Sequence, residues 1–240
     1  MNAFNSKLNT QNAKRPRHAA GRVVMVCSAL ALCHSLLAAR PVKQAISGLL
    51  GPRYGGLYRL AFVLKSLALT GWGTWWFLRQ PDRTIYRVPA PWSWGLRAVQ
   101  VGALVMLLRA VSVVGWGRFL GLRQAAALAR GEEPPATPEA QGPALRPDGT
   151  LDARGPFRWT RHPDNLPVFG VVWFFPQMTV NKLALAALLS LYAVLGSLHE
   201  DSRLRAAYGA AFERYARRVP FLLPLGRRLD APESEDSPPA

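Results

Sequence analysis

Two short segments in the C-terminal half of the chain combine side chains of opposite charge. The first carries the triplet Arg161-His162-Pro163, and the second begins with the pair Glu200-Asp201. Read as a helix at 100° per residue, the second segment places acids and rings within an arc of about 120°. The residues on this face are Glu200, Asp201, Leu204, Tyr208, Phe212 and Tyr215. Such a face can bind a cation through carboxylates and aromatic rings.

The same pattern is typical of an amphipathic helix at a membrane surface. In that interpretation the rings merely pack, and Arg203, Arg214 and Arg217 meet lipid phosphates. His162 also has more than one interpretation. It contacts a ligand, it accepts a proton as a base, or His-Pro simply marks the start of a helix. No His and Cys residues stand at metal-ligand spacing in the sequence, so no metal site is expected.

Long apolar regions must position these residues. They cover residues 23–39, 57–78, 92–116 and 166–198. The last region is interrupted near residues 176–182, which predicts a helical hairpin with arms of about 13–17 residues, too short for the ~30 Å hydrocarbon core. Sustained strand alternation is missing. We therefore predict an all-α integral membrane protein with about five helical membrane segments. The last two form the short hairpin, and a cytoplasmic amphipathic helix follows them.

The remaining segments are polar. Residues 1–22 form a basic N-terminal tail, residues 23–225 the membrane domain, and residues 226–240 an acidic tail that we expect to be disordered. Residues 131–149 are rich in Pro, Ala, Gly and Glu and are expected to form a flexible loop. A basic tail before an apolar run resembles a signal peptide, but the further apolar regions favour a retained first helix.

The charge of the chain is strongly positive. The sequence holds 30 Lys+Arg against 14 Asp+Glu, a formal net charge of +16. These cations flank the apolar regions, as they do beside membrane spans, so we expect a lipid bilayer and no nucleic acid as partner. The side richer in Lys and Arg places the N-terminus outside and the C-terminus in the cytoplasm of an inner (plasma) membrane.

A few polar residues interrupt the apolar regions. They are His34, Lys65, Gln100 and Arg109. Charges inside a membrane are costly, so Lys65 and Arg109 predict a polar pocket or a partner carboxylate. Snorkelling of Lys65 to the interface is the alternative.

The ordered set of motifs resembles one superfamily of membrane enzymes. The triplet at residue 161, a hydrophobic hairpin and the acidic pair at residue 200 are similar to the signature of the isoprenylcysteine carboxyl methyltransferase and phospholipid methyltransferase superfamily. The signature continues with Leu204, Gly209, Tyr215, Val219-Pro220 and Pro224. Residues 34–38, 119–124 and 176–179 resemble its methanethiol S-methyltransferase and NnrU-like branch. The resemblance covers roughly residues 23–225.

The resemblance implies S-adenosylmethionine (SAM) as cofactor and His162 and Arg161 as catalytic residues. The implied cofactor-binding residues are Arg158, Trp159, Arg161, His162, Pro163, Glu200, Asp201, Tyr208 and Tyr215. A carboxylate would pair with the ammonium group of SAM, an arginine with its carboxylate, and the rings with adenine or the sulfonium. The methyl group moves in line, so that catalysis is largely positioning.

The chain departs from the superfamily pattern on the side where the acceptor is recognised. Asn165 and Pro167 stand where an aromatic residue and Gly are usual, and Asp201 replaces Glu. Phe212 replaces Tyr, and Phe221 replaces a basic residue. We predict a membrane-embedded SAM-dependent methyltransferase acting on a small thiol or lipophilic acceptor. The alternative is a non-catalytic NnrU-like membrane accessory protein.

Overall fold

The structure, a computed structural model of the chain, describes residues 2–51, 53–135 and 142–224, with side chains of the first helix described from residue 19 onward. Its elements in chain order are α1 (Asn2–Ala38), α2 (Arg40–Leu50), α3 (Arg53–Leu78), β1 (Thr84–Arg87), α4 (Trp92–Val114), α5 (Trp116–Leu120), α6 (Leu122–Ala129), a 3₁₀ helix (Gly155–Arg158), α7 (Leu166–Val172), β2 (Gln177–Thr179), α8 (Val180–Tyr208) and α9 (Ala210–Arg218). The predicted disordered tail, residues 226–240, lies outside the described residues. Most of the predicted basic tail is helical, since α1 begins at Asn2.

Three helical segments are long and apolar enough to cross a membrane. They are Ala19–Ala38 in α1, Trp92–Val114 in α4 and Val180–Tyr208 in α8. Leu36, Leu104 and Leu191 on these helices are each about half exposed, so large apolar side chains face outward. Such outward apolar faces are typical of helices that contact lipid rather than water. The mostly helical membrane protein predicted from the sequence is therefore supported, with three spans identified by length and composition.

The fourth apolar region forms a lopsided hairpin. Its first arm, α7, has only 7 residues, while its second arm, α8, has 29. The prediction of two arms of similar length was wrong because α7 already ends at Val172, before the predicted interruption, while α8 continues past residue 198 to Tyr208. At 1.5 Å per residue α7 covers about 10 Å, so it does not span a bilayer by itself.

A small β-ribbon, which the sequence did not predict, ties two loops together at the start of α8. Strand β1 pairs antiparallel with β2, with Tyr86 opposite Met178. Thr179 then caps α8, because its hydroxyl accepts a hydrogen bond from the backbone N–H of Lys182 at 3.2 Å. Nearby, the backbone N–H of Asn181 donates to the Asp82 carboxylate at 3.1 Å. The N-terminal end of α8 is thus fixed by the loop that follows α3.

Helix α8 is the central element of the bundle. It packs against α1 and α7, while α4 packs against α7 and the 3₁₀ helix. The close α4–α7 packing depends on Gly170, where an added Cβ would lie 2.7 Å from the Cβ of Ala103. Helix α3 packs against α1 and α6. This arrangement brings the loop before α7 next to the C-terminal half of α8.

The C-terminal part of the chain does not continue as the single helix predicted from the sequence. Gly209, with φ of 51°, separates α8 from α9. Glycine adopts this left-handed conformation without steric cost. Three residues of the predicted face nevertheless lie together. Leu204, Phe212 and Tyr215 form one buried core with Leu151 and Val219. Within the predicted flexible loop, Pro143 is fully buried, whereas residues 144–148 are exposed. Leu151, just after that loop, joins the core.

Candidate active site

The candidate site lies where the loop of residues 159–165 meets α8. Backbone hydrogen bonds attach this loop to the segment after α9: the N–H of Arg161 donates to the Pro220 carbonyl at 3.0 Å. The hydroxyl of Thr160 donates to the Phe221 carbonyl at 3.1 Å. The segment after α9 therefore holds the loop in place.

The predicted cations and carboxylates meet in one network. Nε2 of His162 lies 2.9 Å from Oδ1 of Asp201, and Arg161 lies 3.2 Å from Oδ2 of the same carboxylate. The other ring nitrogen of His162 lies 3.6 Å from a Glu200 oxygen. His162 is 1% exposed and Asp201 6%. Asp201 thus holds both cationic side chains, whereas Glu200 faces the opposite side of the imidazole.

The His162 ring is protonated at neutral pH. Burial disfavours its cation, but hydrogen bonding to Asp201 and Glu200, together with the charges of Glu200 and Asp164, outweighs burial and raises the pKa of His162 to about 9. The proton on Nε2 then points at Asp201, and the proton on Nδ1 faces Glu200. A base with this pKa carries its proton through the neutral range, so it is not ready to accept another.

Asp164 is an additional acid of the site that the sequence analysis did not single out. Part of its side chain stays exposed, but many protein atoms surround its carboxyl group. Burial and repulsion from Glu200 raise the pKa of Asp164 to about 7, against the opposing attraction of His162. Asp164 therefore keeps its proton to a higher pH than an ordinary aspartic acid does. Its position two residues after His162 in the same loop could have indicated from the sequence that Asp164 belongs to the site.

Two phenylalanine rings enclose the Arg161 side chain. Its guanidinium carbon lies 6.0 Å from the centre of the Phe212 ring and 5.5 Å from that of Phe221. The Phe221 ring also meets the imidazole of His162 edge-on, at 5.2 Å between centroids. Both phenylalanines were departures from the superfamily pattern. Here they screen the buried cations from solvent and strengthen their ionic contacts.

Arg161 keeps one donor without a partner. Its Nε is buried and makes no hydrogen bond to any residue of the described ranges 2–51, 53–135 and 142–224. A buried guanidinium N–H left unpaired costs free energy, which an anionic ligand at this position would recover.

The other predicted cofactor residues differ in how far they are exposed to solvent. Tyr215 is 5% exposed, and its hydroxyl donates to the Phe157 carbonyl at 2.8 Å, so it supports the core rather than facing a ligand. Burial raises the pKa of Tyr215 well above its usual range. Tyr208 packs against the same core, partly buried. Pro163 is fully buried, whereas Trp159 is 48% exposed. Arg158 is half-buried at the end of the 3₁₀ helix.

The unusual residues Asn165 and Pro167 are accommodated by the local structure. The side-chain amide of Asn165 donates to the hydroxyl of Ser197 on α8 at 3.0 Å, and Ser197 is fully buried. Pro167 lies in the first turn of α7, where the missing N–H leaves no hydrogen bond unmade. Together these residues attach the loop to both arms of the hairpin.

Three donor groups of the site are close enough to hold a cation. A nitrogen of His162 and one carboxylate oxygen each of Asp164 and Glu200 lie within 4.8 Å of one another. The sequence analysis considered only the spacing of His and Cys residues; this group of one His and two acids comes from a loop and α8, which are distant in sequence and are brought together by the fold. The protonated imidazole already supplies positive charge here, and a metal ion would have to displace its proton.

Fold and site together define a helical membrane protein with a buried, charged centre at one end of its apolar helices. Comparison with known proteins finds several methanethiol S-methyltransferases. The protein of that name from Crocosphaera subtropica is 35% identical over 69 residues, 29% of this chain and 27% of the relative. The one from Pseudomonas deceptionensis is 31% identical over 98 residues, 41% of this chain and 37% of the relative.

A longer alignment is found at lower identity. Methanethiol S-methyltransferase 1 of Bradyrhizobium diazoefficiens is 22% identical over 213 residues, which cover 86% of this chain and 67% of the relative. No family model matches the chain. No solved structure matches it either. The chain is thus distantly similar to proteins named as methyltransferases, and the better-conserved matches span well under half of their length.

Proposed function

We propose that this chain is a membrane-embedded SAM-dependent methyltransferase related to the isoprenylcysteine carboxyl methyltransferase-like proteins, acting on a small thiol or lipophilic acceptor. The observation that carries the proposal is the enclosed network of Arg161, His162, Asp201, Glu200 and Asp164 at the end of an apolar helix. The distant similarity to methanethiol S-methyltransferases supports the reaction type. In this proposal the network faces the cytoplasmic side of the inner membrane.

The amino-acid end of SAM fits the charges of this network. Its carboxylate would accept a hydrogen bond from Nε of Arg161, which has no other acceptor among the described residues. Its ammonium would lie between Asp164 and Glu200, whose oxygens are within 4.8 Å of each other and of His162. Asp201 is already engaged by Arg161 and His162, so we assign it the positioning of those two residues.

Aromatic residues at the rim would bind the rest of the cofactor. The indole of Trp159 is 48% exposed and directly precedes Thr160, Arg161 and His162 in the loop, so it can stack with a purine or face a sulfonium. The partly buried ring of Tyr208 lies at the end of α8. Tyr215 instead stabilises the core beneath the loop, through its bond to the Phe157 carbonyl.

SAM would supply a sulfonium-activated methyl group, whose bond to the donor sulfur breaks as the bond to the acceptor forms. The side chains of this chain then contribute binding and orientation. His162 is protonated at neutral pH with a pKa of about 9, so it orients Glu200 and Asp201 and does not act as the base for a thiol. The Phe212 and Phe221 rings cover part of the Arg161 guanidinium, which reduces its contact with solvent and strengthens its ionic contact with Asp201.

The alternative, an accessory protein without turnover, rested on the departures at Asn165 and Pro167. Neither residue interrupts the charged network: one bonds to Ser197 and the other begins α7. We therefore give the methyltransferase precedence over the accessory protein.

Binding of SAM to the detergent-purified protein tests the proposal. Replacing Glu200→Gln removes a carboxylate but preserves the side-chain shape, and we expect SAM affinity to fall about tenfold or more, since a charged hydrogen bond contributes roughly 1.5–3 kcal/mol. The matched control is Glu213→Gln on α9, an exposed acid paired with Arg205 at 2.5 Å. Isothermal titration calorimetry gives the dissociation constants. Absent binding by the wild type, or equal binding by the wild type and Glu200→Gln, contradicts the proposal.

A further inference from the structure

Basic side chains of three helices converge on Tyr58 of α3. The Tyr58 hydroxyl donates to the Leu37 carbonyl near the end of α1. Nζ of Lys43 on α2 lies 5.9 Å from the centre of the Tyr58 ring. The guanidinium groups of Arg59 and of Arg203 on α8 are both close enough to act electrostatically on the Tyr58 hydroxyl. Helices α2, α3 and α8 therefore each bring one cation to the same point.

The two arginines at this point lack a carboxylate partner. The first acidic residue of the chain is Asp82, so α1, α2 and α3 carry none. Among the residues that the structure describes, neither Arg59 nor Arg203 forms an ion pair. Nε of Arg203 is also buried, and within the same described ranges it makes no hydrogen bond. A buried guanidinium N–H left unpaired costs free energy, which an anion at this point would recover.

Arg203 faces away from the contacts of Asp201 in the charged network. It follows Asp201 by two residues, which is about 200° around α8. The sequence-based alternative assigned Arg203, Arg214 and Arg217 alike to lipid phosphates. In the structure Arg214 donates to the Gly149 carbonyl at 3.0 Å, and Arg217 is exposed. Arg203 differs from both because its Nε is enclosed without an acceptor.

Helix α2 indicates which anion can reach this point. It directly follows the apolar span that ends at Ala38, and none of its residues is fully buried. Leu49 is 86% exposed, and Leu50 next to it is 38% exposed. A short helix with basic residues and outward leucines is typical of the headgroup layer of a membrane. Lys43 lies in the first turn of α2, where the helix dipole also favours negative charge.

We propose that Lys43, Arg59 and Arg203 bind the phosphate of an anionic phospholipid from the leaflet that contacts α2. Phosphate oxygens accept hydrogen bonds from guanidinium groups with good geometry, and Nε of Arg203 supplies the buried donor. The acyl chains lie along outward leucines of α3, Leu57 and Leu64, which are 41% and 57% exposed. The site is separate from the charged network of the candidate active site, and the inference does not depend on the proposed methyltransferase function.

Titration with dioctanoylphosphatidylglycerol tests the site on the detergent-purified protein, freed of copurified lipid as verified by its phosphorus content. Arg203→Gln is expected to raise the dissociation constant measured by calorimetry about tenfold, because a charged hydrogen bond is lost. Arg203→Lys keeps the charge without the Nε donor and should have an intermediate affinity. The matched control is Arg217→Gln, which removes an exposed cation from α9 and should retain wild-type affinity.

Thermal unfolding of the lipid-free variants shows that the site has been changed without loss of the fold. Arg203→Gln should unfold at the wild-type temperature, since no ion pair to a described residue is lost. Lys43→Gln, on a different helix, is a second variant that should also weaken binding of the lipid. Equal dissociation constants for the wild type and both variants overturn the inference, and so does the same loss of affinity in Arg217→Gln.

Two further ligands identify the chemical group that is bound. Dioctanoylphosphatidylcholine has the same acyl chains and a phosphate, but its choline cancels the negative charge, so it should bind about tenfold more weakly. Inorganic phosphate lacks acyl chains and should bind much more weakly than the anionic lipid. Inorganic phosphate that binds as tightly as dioctanoylphosphatidylglycerol, or a wild type that does not distinguish the two lipids, overturns the assignment to an anionic phospholipid.

Discussion

Replacing Asp201→Asn is expected to abolish measurable SAM binding and to lower the thermal unfolding temperature of the purified protein. Asp201 is 6% exposed and is the shared anion of two cations, at 2.9 Å from His162 and 3.2 Å from Arg161. Removing one partner of a buried ion pair leaves an uncompensated charge, which costs about 3 kcal/mol or more. A penalty of that size on the Arg161 and His162 geometry corresponds to at least a hundredfold weaker binding.

A control variant and a second measurement test whether the loss of SAM binding comes from the contacts of Asp201. Asp82→Asn changes an acid at the opposite end of α8, where Asp82 accepts from the N–H of Asn181, and should retain wild-type SAM affinity. In Asp201→Asn the pKa of His162, followed by NMR of its imidazole, should fall below about 9 because the main acceptor for its proton is lost. An unchanged His162 pKa together with wild-type SAM binding would show that Asp201 holds neither cation.

The sequence predicted those parts of the fold that depend on local properties. Helix length and apolar composition are local, so the spans in α1 and α4 could be recognised from residues alone, whereas α8 was predicted only as a short arm of the hairpin. The ribbon of β1 and β2 could not, because its partners, such as Tyr86 and Met178, are far apart in sequence and each strand is very short. The hairpin was misjudged for a related reason: apolar residues around Trp173 and Pro176 look helical in composition, but the helix has already ended at Val172.

The candidate site shows the same division. Helical spacing and motif order placed Arg161-His162 opposite Glu200-Asp201, and these residues are in contact in the structure. The sequence did not show which carboxylate pairs with which cation. In the structure Asp201 contacts both Arg161 and His162, whereas Glu200 contacts only the other side of the imidazole. The roles of Asp164 and Phe221 likewise depend on the return of the chain after α9, which brings the Phe221 ring against His162.

SAM affinity is expected to rise as the pH increases from 5.5 to 8. Asp164 must be ionised to pair with the ammonium of the ligand, and burial with repulsion from Glu200 raises its pKa to about 7. Below that pKa the carboxyl is mostly protonated, so each lower pH unit weakens binding by up to tenfold. His162, the cation that faces Asp164, has a pKa of about 9 and keeps its charge across this range.

The variant Asp164→Asn separates this titration from other groups. It should bind SAM more weakly than the wild type at pH 8, and its affinity should be nearly constant between pH 5.5 and 7, because no carboxyl remains there to ionise. Proton release measured by calorimetry in buffers of different ionisation enthalpy provides a second readout: near pH 6.5 the wild type should release a proton on binding SAM, and Asp164→Asn should not. A wild-type pH profile that is flat, or that Asp164→Asn reproduces, assigns the ammonium to Glu200 alone, and in that case Asp164 only shapes the loop between His162 and α7.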